Sequence, residues 1–247
     1  MIINVLGING SPRIGNSQYL LDHALESASE VDQGNVKIDT YAMKGKTMNP
    51  CIACSHCVKH HGDCVHDDDF AGLNDLWLKS DVILYSVPVY HMSIPGQLKC
   101  FIDRLGNSMF GRFKSEMPEN MDTLPKQLKV VGTIVQGIHL FSGQEHTITD
   151  LINHALIMQC IPVTGDLWES YIGAGGWTSN RIERNSLEEL VKKGDMDSEA
   201  AVRAARAVGK RSVEMSLIIQ SGILANKKLL GNDRLYKPLL DRLKDKG

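Results

Sequence analysis

Short runs rich in Val and Ile alternate along the chain with longer stretches of helical apolar spacing. Five runs read as strands: IINVLGI (2–8), VKIDTYA (36–42), DVILYSVPV (81–89), LKVVGTIV (128–135) and IPVTGDLW (161–168). Several are apolar at successive positions, the pattern of strands covered on both faces. Helical patterns occupy 16–29, about 69–79, 95–106 and 144–159. This alternation predicts an α/β doubly wound fold, a five-stranded parallel sheet with right-handed crossovers. The segment 172–186, IGAGGWTSNRIERNS, reads as a loop, and from about 186 the pattern is helical throughout. That tail includes AAVRAARAVGKRSVEMSLIIQ, good helix formers with an apolar stripe. The expected organisation is one domain over 1–185 and a helical C-terminal extension over 186–247.

Composition narrows the class. A hydrophobic content of 43% supports a sizeable core, and a net charge of −2 gives no pull toward nucleic acid or an anionic membrane. Residues 178–247 carry 15 Lys and Arg against 10 Asp and Glu, which reads as solvated helical faces. No window reaches the ~18 apolar residues of a membrane span. The start, MIINVLGING, has no basic leader, so the expected location is cytoplasmic, where the six cysteines stay reduced.

In an open α/β sheet ligands bind beyond the carboxyl ends of the strands, so the segments after each strand carry the chemistry. After the first strand comes GSPRIGNS (10–17), opening a helix near Asn16 or Ser17. A helix N-terminus offers unpaired N–H groups to a phosphate. Ser11, Asn16 and Ser17 add side-chain donors and Arg13 adds charge, while Gly10 and Gly15 permit close backbone approach. The spacing fails GxGxxG, and no GK[ST] is present. A hydroxyl-rich loop without that lysine suits one terminal phosphate, as in FMN, which the flavodoxin-like branch of doubly wound folds binds here. The simpler reading is that Asn16 or Ser17 only caps the helix.

Two further loops repeat the design. In SVPVYHMSIPGQLKCFIDR (86–104), Pro88 and Val89 end a strand, and Tyr90, His91 and Met92 form a turn before a helix near Pro95. Tyr90 and Met92 are expected against a flavin ring, and Tyr90 and His91 are the candidates for supplying a proton. In IVQGIHLFSGQEHTI (134–148), the backbone around Gly137 and Gly143 is expected at the ring edge.

CIACSHCVKHHGDCVHDDD (51–69) sets Cys51, Cys54, Cys57 and Cys64 within fourteen residues. This compact spacing suits a [4Fe–4S] cluster. Zinc, helped by His60, His61 or His66, and a loop binding no metal are the alternatives. Asp67, Asp68 and Asp69 read as caps of the next helix, and Cys100 and Cys160 as buried thiols in helices.

Together, GSPRIGNS, the cysteine run, PVYHMSIPGQLKCFIDR and GQEHTI, in this order over about residues 1–180, resemble the iron–sulfur flavoprotein family. That family belongs with the NADPH-dependent FMN reductases and the multimeric flavodoxin-like quinone reductases. The resemblance implies FMN phosphate at Ser11, Arg13, Asn16 and Ser17. It implies flavin-ring contacts from Pro88, Val89, Tyr90, His91 and Met92 and from the loop around Gly137 and Gly143. Cluster ligation would fall to Cys51, Cys54, Cys57 and Cys64, in a homodimer or homotetramer. QGIHLFSGQE is less glycine-rich than the family's usual loop, and the tail is longer than a minimal member needs. The expected function is a redox flavoprotein passing electrons between a donor and an acceptor such as ferredoxin, NAD(P)H or a quinone-like molecule. The alternatives are an NAD(P)H-dependent FMN or quinone reductase without a cluster, and a zinc-stabilised binding module.

Overall fold

A computed structural model describes residues 1–120 and 122–244. The last three residues of the expected extension lie outside it. The elements run β1 (Ile3–Asn9), α1 (Asn16–Glu30), β2 (Val36–Ala42), α2 (His56–Lys59), α3 (Phe70–Lys79), β3 (Val82–Pro88), α4 (Gly96–Arg112), β4 (Val130–Gly137), α5 (Gln144–Ile157), β5 (Ile161–Val163), β6 (Ala174–Trp177), α6 (Ser186–Lys192), α7 (Met196–Ala225), α8 (Lys227–Leu230) and α9 (Lys237–Leu243). The sheet is parallel, in the order β2-β1-β3-β4-β5, the flavodoxin-like order with its switch point between β1 and β3.

Successive residues of the central strands face opposite cores. Ile83 and Tyr85 join Trp77, Phe101, Leu105 and Leu151 beneath α3, α4 and α5. Val82 and Leu84 join Leu21, Ala24, Ala205 and Val208 beneath α1 and α7. Burial on both faces explains the unbroken apolar runs. The second core depends on the chain beyond 186, because α7 lies against α1 and spans the sheet. Their backbones nearly touch: a Cβ added at Gly209 would sit 2.0 Å from the Ala24 carbonyl oxygen. The first helix and the last long helix therefore share one face of one sheet. Among the described residues no helix is long and apolar enough to cross a membrane.

Two local expectations need correction. The fifth run shortens to Ile161–Val163, which pairs with Val130–Gly132 at the start of β4. The segment 172–186 contains a sixth strand, which pairs with Ile134–Gly137 at the other end of β4. Gly175 and Gly176 give that strand no apolar periodicity, so its backbone ladder alone defines it. The sheet edge beside β4 is thus built from two pieces, and β6 brings Trp177 level with Gly137.

Candidate functional site

The carboxyl ends of β1, β3, β4 and β6 converge on one edge. A concavity of about 50 Å³ there is lined by Ser11, Arg13, Asn16 and Ser17 from the first loop, by Pro88, Val89 and Tyr90 from the third, and by Gln136 and Ile138. With Gly15, eight of the residues singled out in sequence thus share one wall. Helix α1 begins at Gly15 with no side-chain capping bond, so neither Asn16 nor Ser17 is its cap. The Ser11 and Ser17 side chains are buried, and the Ser11 hydroxyl accepts the Arg13 N–H at 3.2 Å. Buried hydroxyls beside an uncapped helix start form a donor set suited to a phosphate.

One predicted donor is otherwise engaged. The Asn16 amide donates to the Glu183 carbonyl (3.2 Å) and accepts from the Leu187 N–H (3.0 Å). Its side chain therefore ties α1 to the segment leading into α6. Arg13 reaches the same segment, donating to the Ile182 carbonyl at 3.2 Å. Gly15 lies beneath it, where a Cβ would come within 2.9 Å of the Arg184 carbonyl oxygen. Sequence reasoning missed this strap, because IERNS carries no periodic or motif signal.

Next along the edge lies a wider concavity, about 480 Å³, walled by Met92, Phe141, Gly143, Gln144, Gly176 and Trp177 among others. His91 and Met92 both take positive φ (52° and 70°) at the tip of a turn closed by reciprocal bonds between Tyr90 and Ser93. The turn is locked to α5 by the Ser93 hydroxyl donating to Asp150. Gly143 is required beside it: its φ is 99°, and a Cβ there would lie 2.9 Å from the Met92 Cα. Gly137 faces the Ser142 and Gln144 side chains. The Gln144 amide holds the loop by donating to the carbonyls of His139 (2.8 Å) and Gly176 (3.3 Å). Exposed His91 lines neither concavity. Gln136, Phe141, Gln144 and Trp177 were not foreseen; a Gln at a strand end has no signature.

The cysteines occupy the connection from β2 to α3, against α4. Cys51, Cys54, Cys57 and Cys64 line one concavity of about 110 Å³, together with His66, Arg104, Asn107 and Ser108. The backbone winds tightly around it, with positive φ at Ala53 (52°), Ser55 (57°) and His61 (50°). Each such residue costs on the order of 1 kcal/mol, so the loop needs support from outside. Helix α4 supplies it. Gly111 admits the Cys57 carbonyl, which would be 2.0 Å from an added Cβ, and the Ser108 hydroxyl donates to the Gly62 carbonyl at 2.6 Å. The Asn107 amide donates to the Cys51 sulfur at 3.7 Å. Burial pushes the Cys57 thiol up.

Both flanks of this loop meet at one ion pair. Asp68 accepts two bonds from the Arg104 guanidinium (2.7 and 2.9 Å), and the two side chains are only 1% and 2% exposed. Asp68 also accepts the backbone N–H groups of Asn49 (2.8 Å) and Phe70 (3.2 Å), tying the chain before Cys51 to the chain after Cys64. Burial alone would raise the Asp68 pKa. The Arg104 fork and those N–H bonds outweigh it and hold the carboxyl well below the usual carboxylate range. Asp69 occupies the cap position of α3 but makes no capping bond; it binds Lys46 and the Thr47 N–H instead. His60 stacks on His56 rather than facing the cysteines. Cys160 is buried but precedes β5 instead of lying in a helix, and Cys100 is only half-buried on α4.

Among the described residues no three His, Cys, Asp or Glu side chains converge on a single ion. The donor set nevertheless fits a larger inorganic group: four thiols around one hollow, with nitrogen donors in its wall.

A flavodoxin-like sheet with a phosphate-ready first loop defines a flavin-binding class. The chain belongs to the NADPH-dependent FMN reductase family, whose model matches residues 3–168. It is accordingly a flavoprotein and a flavin-dependent oxidoreductase, with FMN as its flavin. It is similar to an iron–sulfur flavoprotein of Methanocaldococcus jannaschii, 26% identical over 215 residues that cover 86% of this chain and 96% of that one. A second protein of that name from the same organism is 32% identical over 165 residues, covering 66% of this chain and 77% of the relative. The fold matches that of an FMN-dependent NADH-azoreductase from Bacillus anthracis, solved with FMN. The TM-score there is 0.57 at 12% identity, over 85% of this chain and 99% of that one.

Proposed function

We propose that this flavoprotein carries two redox centres, FMN at the sheet edge and a [4Fe–4S] cluster at Cys51, Cys54, Cys57 and Cys64, and passes electrons between a donor and an acceptor. The observation that carries the reading is the common hollow of the four cysteines, walled by α4 and set apart from the phosphate loop. The relatives named iron–sulfur flavoproteins support it.

In this reading the hydroxyls of Ser11 and Ser17, the first N–H groups of α1 and the Arg13 charge hold the phosphate. The Asn16 side chain holds the strap over the loop, and only its backbone N–H faces the ligand. Pro88, Val89 and Tyr90 flank the ring, and Met92 and the backbone from Gly137 to Gly143 border its outer edge. Phe141 and Trp177 wall the adjoining hollow, where a planar acceptor or a nicotinamide would stack. Tyr90, 45% exposed and lining the smaller concavity, is the phenol positioned to exchange a proton with the ring, while His91 lines neither hollow. The flavin itself supplies the coupling of two-electron to one-electron transfer, so no side chain needs to act as a nucleophile. Ferredoxin or NAD(P)H is the donor and a quinone-like molecule the acceptor. Phe141 and Trp168, each 91% exposed, support assembly into a homodimer or homotetramer.

The family match, to NADPH-dependent FMN reductases, favours a second reading, an NAD(P)H-dependent FMN or quinone reductase whose cysteines hold nothing. Anaerobic purification with iron and acid-labile sulfide assays separates the two. The two-centre reading expects about four iron and four sulfide per FMN. FMN without iron, with rapid NAD(P)H oxidation, establishes the second reading instead.

A further inference from the structure

We infer that Arg104, clamped by Asp68, is a positioning residue of the four-cysteine site, giving the thiolates a fixed positive charge and an N–H donor. The inference rests on the two-centre reading and goes beyond it, because it assigns a role to a residue outside the cysteine motif.

Three observations carry it. The first is placement. Arg104 sits on α4, forty residues beyond the last of the four cysteines, yet forms part of the wall of their hollow. The second is an incomplete hydrogen-bond set. Asp68 takes both terminal nitrogens of the guanidinium, and the Asn49 carbonyl takes one of them again at 3.2 Å. The Nε–H is buried and has no partner among the described residues. Leaving a charged donor unpaired costs more than a typical net hydrogen bond gains. His66 Nε2, in the same wall, is likewise buried without a partner. Two orphaned nitrogens thus share the wall of four sulfurs, one of which, Cys51, already accepts from the Asn107 amide. N–H bonds to the sulfurs are a main control of cluster potential.

The third observation is energetic. A buried ion pair is weak as a source of stability, since apolar residues of similar volume do as well or better. This pair nevertheless does two things an apolar pair cannot. It fixes both flanks of the strained cysteine loop through Asp68, and it leaves a cation facing what would be a cluster of thiolates. A guanidinium stays charged at any ordinary pH, so the cation that Asp68 holds in this wall is a permanent one.

The test uses the anaerobically purified holoprotein, its FMN content reporting an intact fold at the opposite end of α4. Arg104→Lys keeps the charge but loses the fork and the Nε–H. The double variant Asp68→Asn/Arg104→Gln leaves no buried charge unpaired. For each, iron release to a chelator and the cluster midpoint potential by EPR-monitored titration are measured. The expected result is release about tenfold faster than wild type, with a potential lower by about 59 mV, a tenfold shift of the one-electron equilibrium. A third arm needs no variant: pulsed EPR of the reduced wild type, labelled with 15N-arginine, should show coupling from an arginine nitrogen. Iron-loaded variants with wild-type release and potential, or a reduced cluster without arginine coupling, overturn the role of Arg104 and leave the two-centre reading standing. A wild type that holds FMN but no iron overturns both.

Discussion

The two candidate centres are built in opposite ways. At the sheet edge, regular elements do the positioning: β3, β4 and β6 end within a residue of one another, β1 ends two residues earlier, and α1 starts beyond it with its free N–H groups toward the hollow. At the cysteine site almost nothing is regular. One four-residue helix and four residues of positive φ, three of them not glycine, shape the loop, and α4 with the Asp68–Arg104 pair holds it from outside. The first site is preorganised by topology. The second is preorganised by a few long-range contacts, so single substitutions should damage it more selectively.

The largest effect expected from that contrast is a clean separation of the two centres. Cys54→Ser should lower iron per chain at least about tenfold while FMN stays at wild-type stoichiometry. Loss of both cofactors together would mean that the sites are not independent. Next comes the support from α4. Gly111→Ala places a methyl against the Cys57 carbonyl, and about 3 kcal/mol of strain should fall on the loop. The readout is faster iron release with little change in FMN binding; equal damage to both would show that α4 transmits the strain to the sheet edge.

A pH effect of similar size belongs to neither site. His154 on α5 is buried, its Nε2 3.2 Å from the Tyr85 hydroxyl, which accepts from Trp77 Nε1, also at 3.2 Å. Burial first, and then the Lys99 charge, push its pKa down to about 4. The unfolded chain binds that proton near pH 6.5, so stability is fully present above about 6.5 and falls as pH drops toward about 4. The full loss is about 3 kcal/mol at 1.36 kcal/mol per unit. Denaturation midpoints measured across this range should fall in the wild type and flatten in His154→Gln. Smaller still is Ser17→Ala. Removing one hydroxyl bond to a charged phosphate should weaken FMN binding by about 2 kcal/mol, roughly 30-fold, with iron content unchanged. An unaltered FMN affinity would reduce Ser17 to a packing residue.

Much of this was legible in the sequence, for reasons that differ by element. The interior strands β1, β3 and β4 are apolar on both faces, and their runs match the sequence reading to within about two residues, as does the edge strand β2. The first loop advertised itself by donor types at a helix start. β6 was hidden because two of its four residues are glycines, and its evidence is pairing with β4, a contact distant in sequence. The strap at 182–187 and the Asp68–Arg104 clamp were hidden for the same reason. Each joins residues far apart in the chain, and neither partner differs in type from an ordinary surface residue. The aspartates after the cysteines looked like helix caps, and only the fold shows Asp68 turned toward α4.

The two-centre reading is tested most directly by one experiment on anaerobically purified protein: visible and EPR spectra before and after dithionite, with Cys54→Ser alongside. The expected outcome is flavin bleaching in both proteins, together with the EPR signal of a reduced cluster in wild type alone. Flavin bleaching with no cluster signal in wild type would contradict it and leave a single-centre FMN reductase.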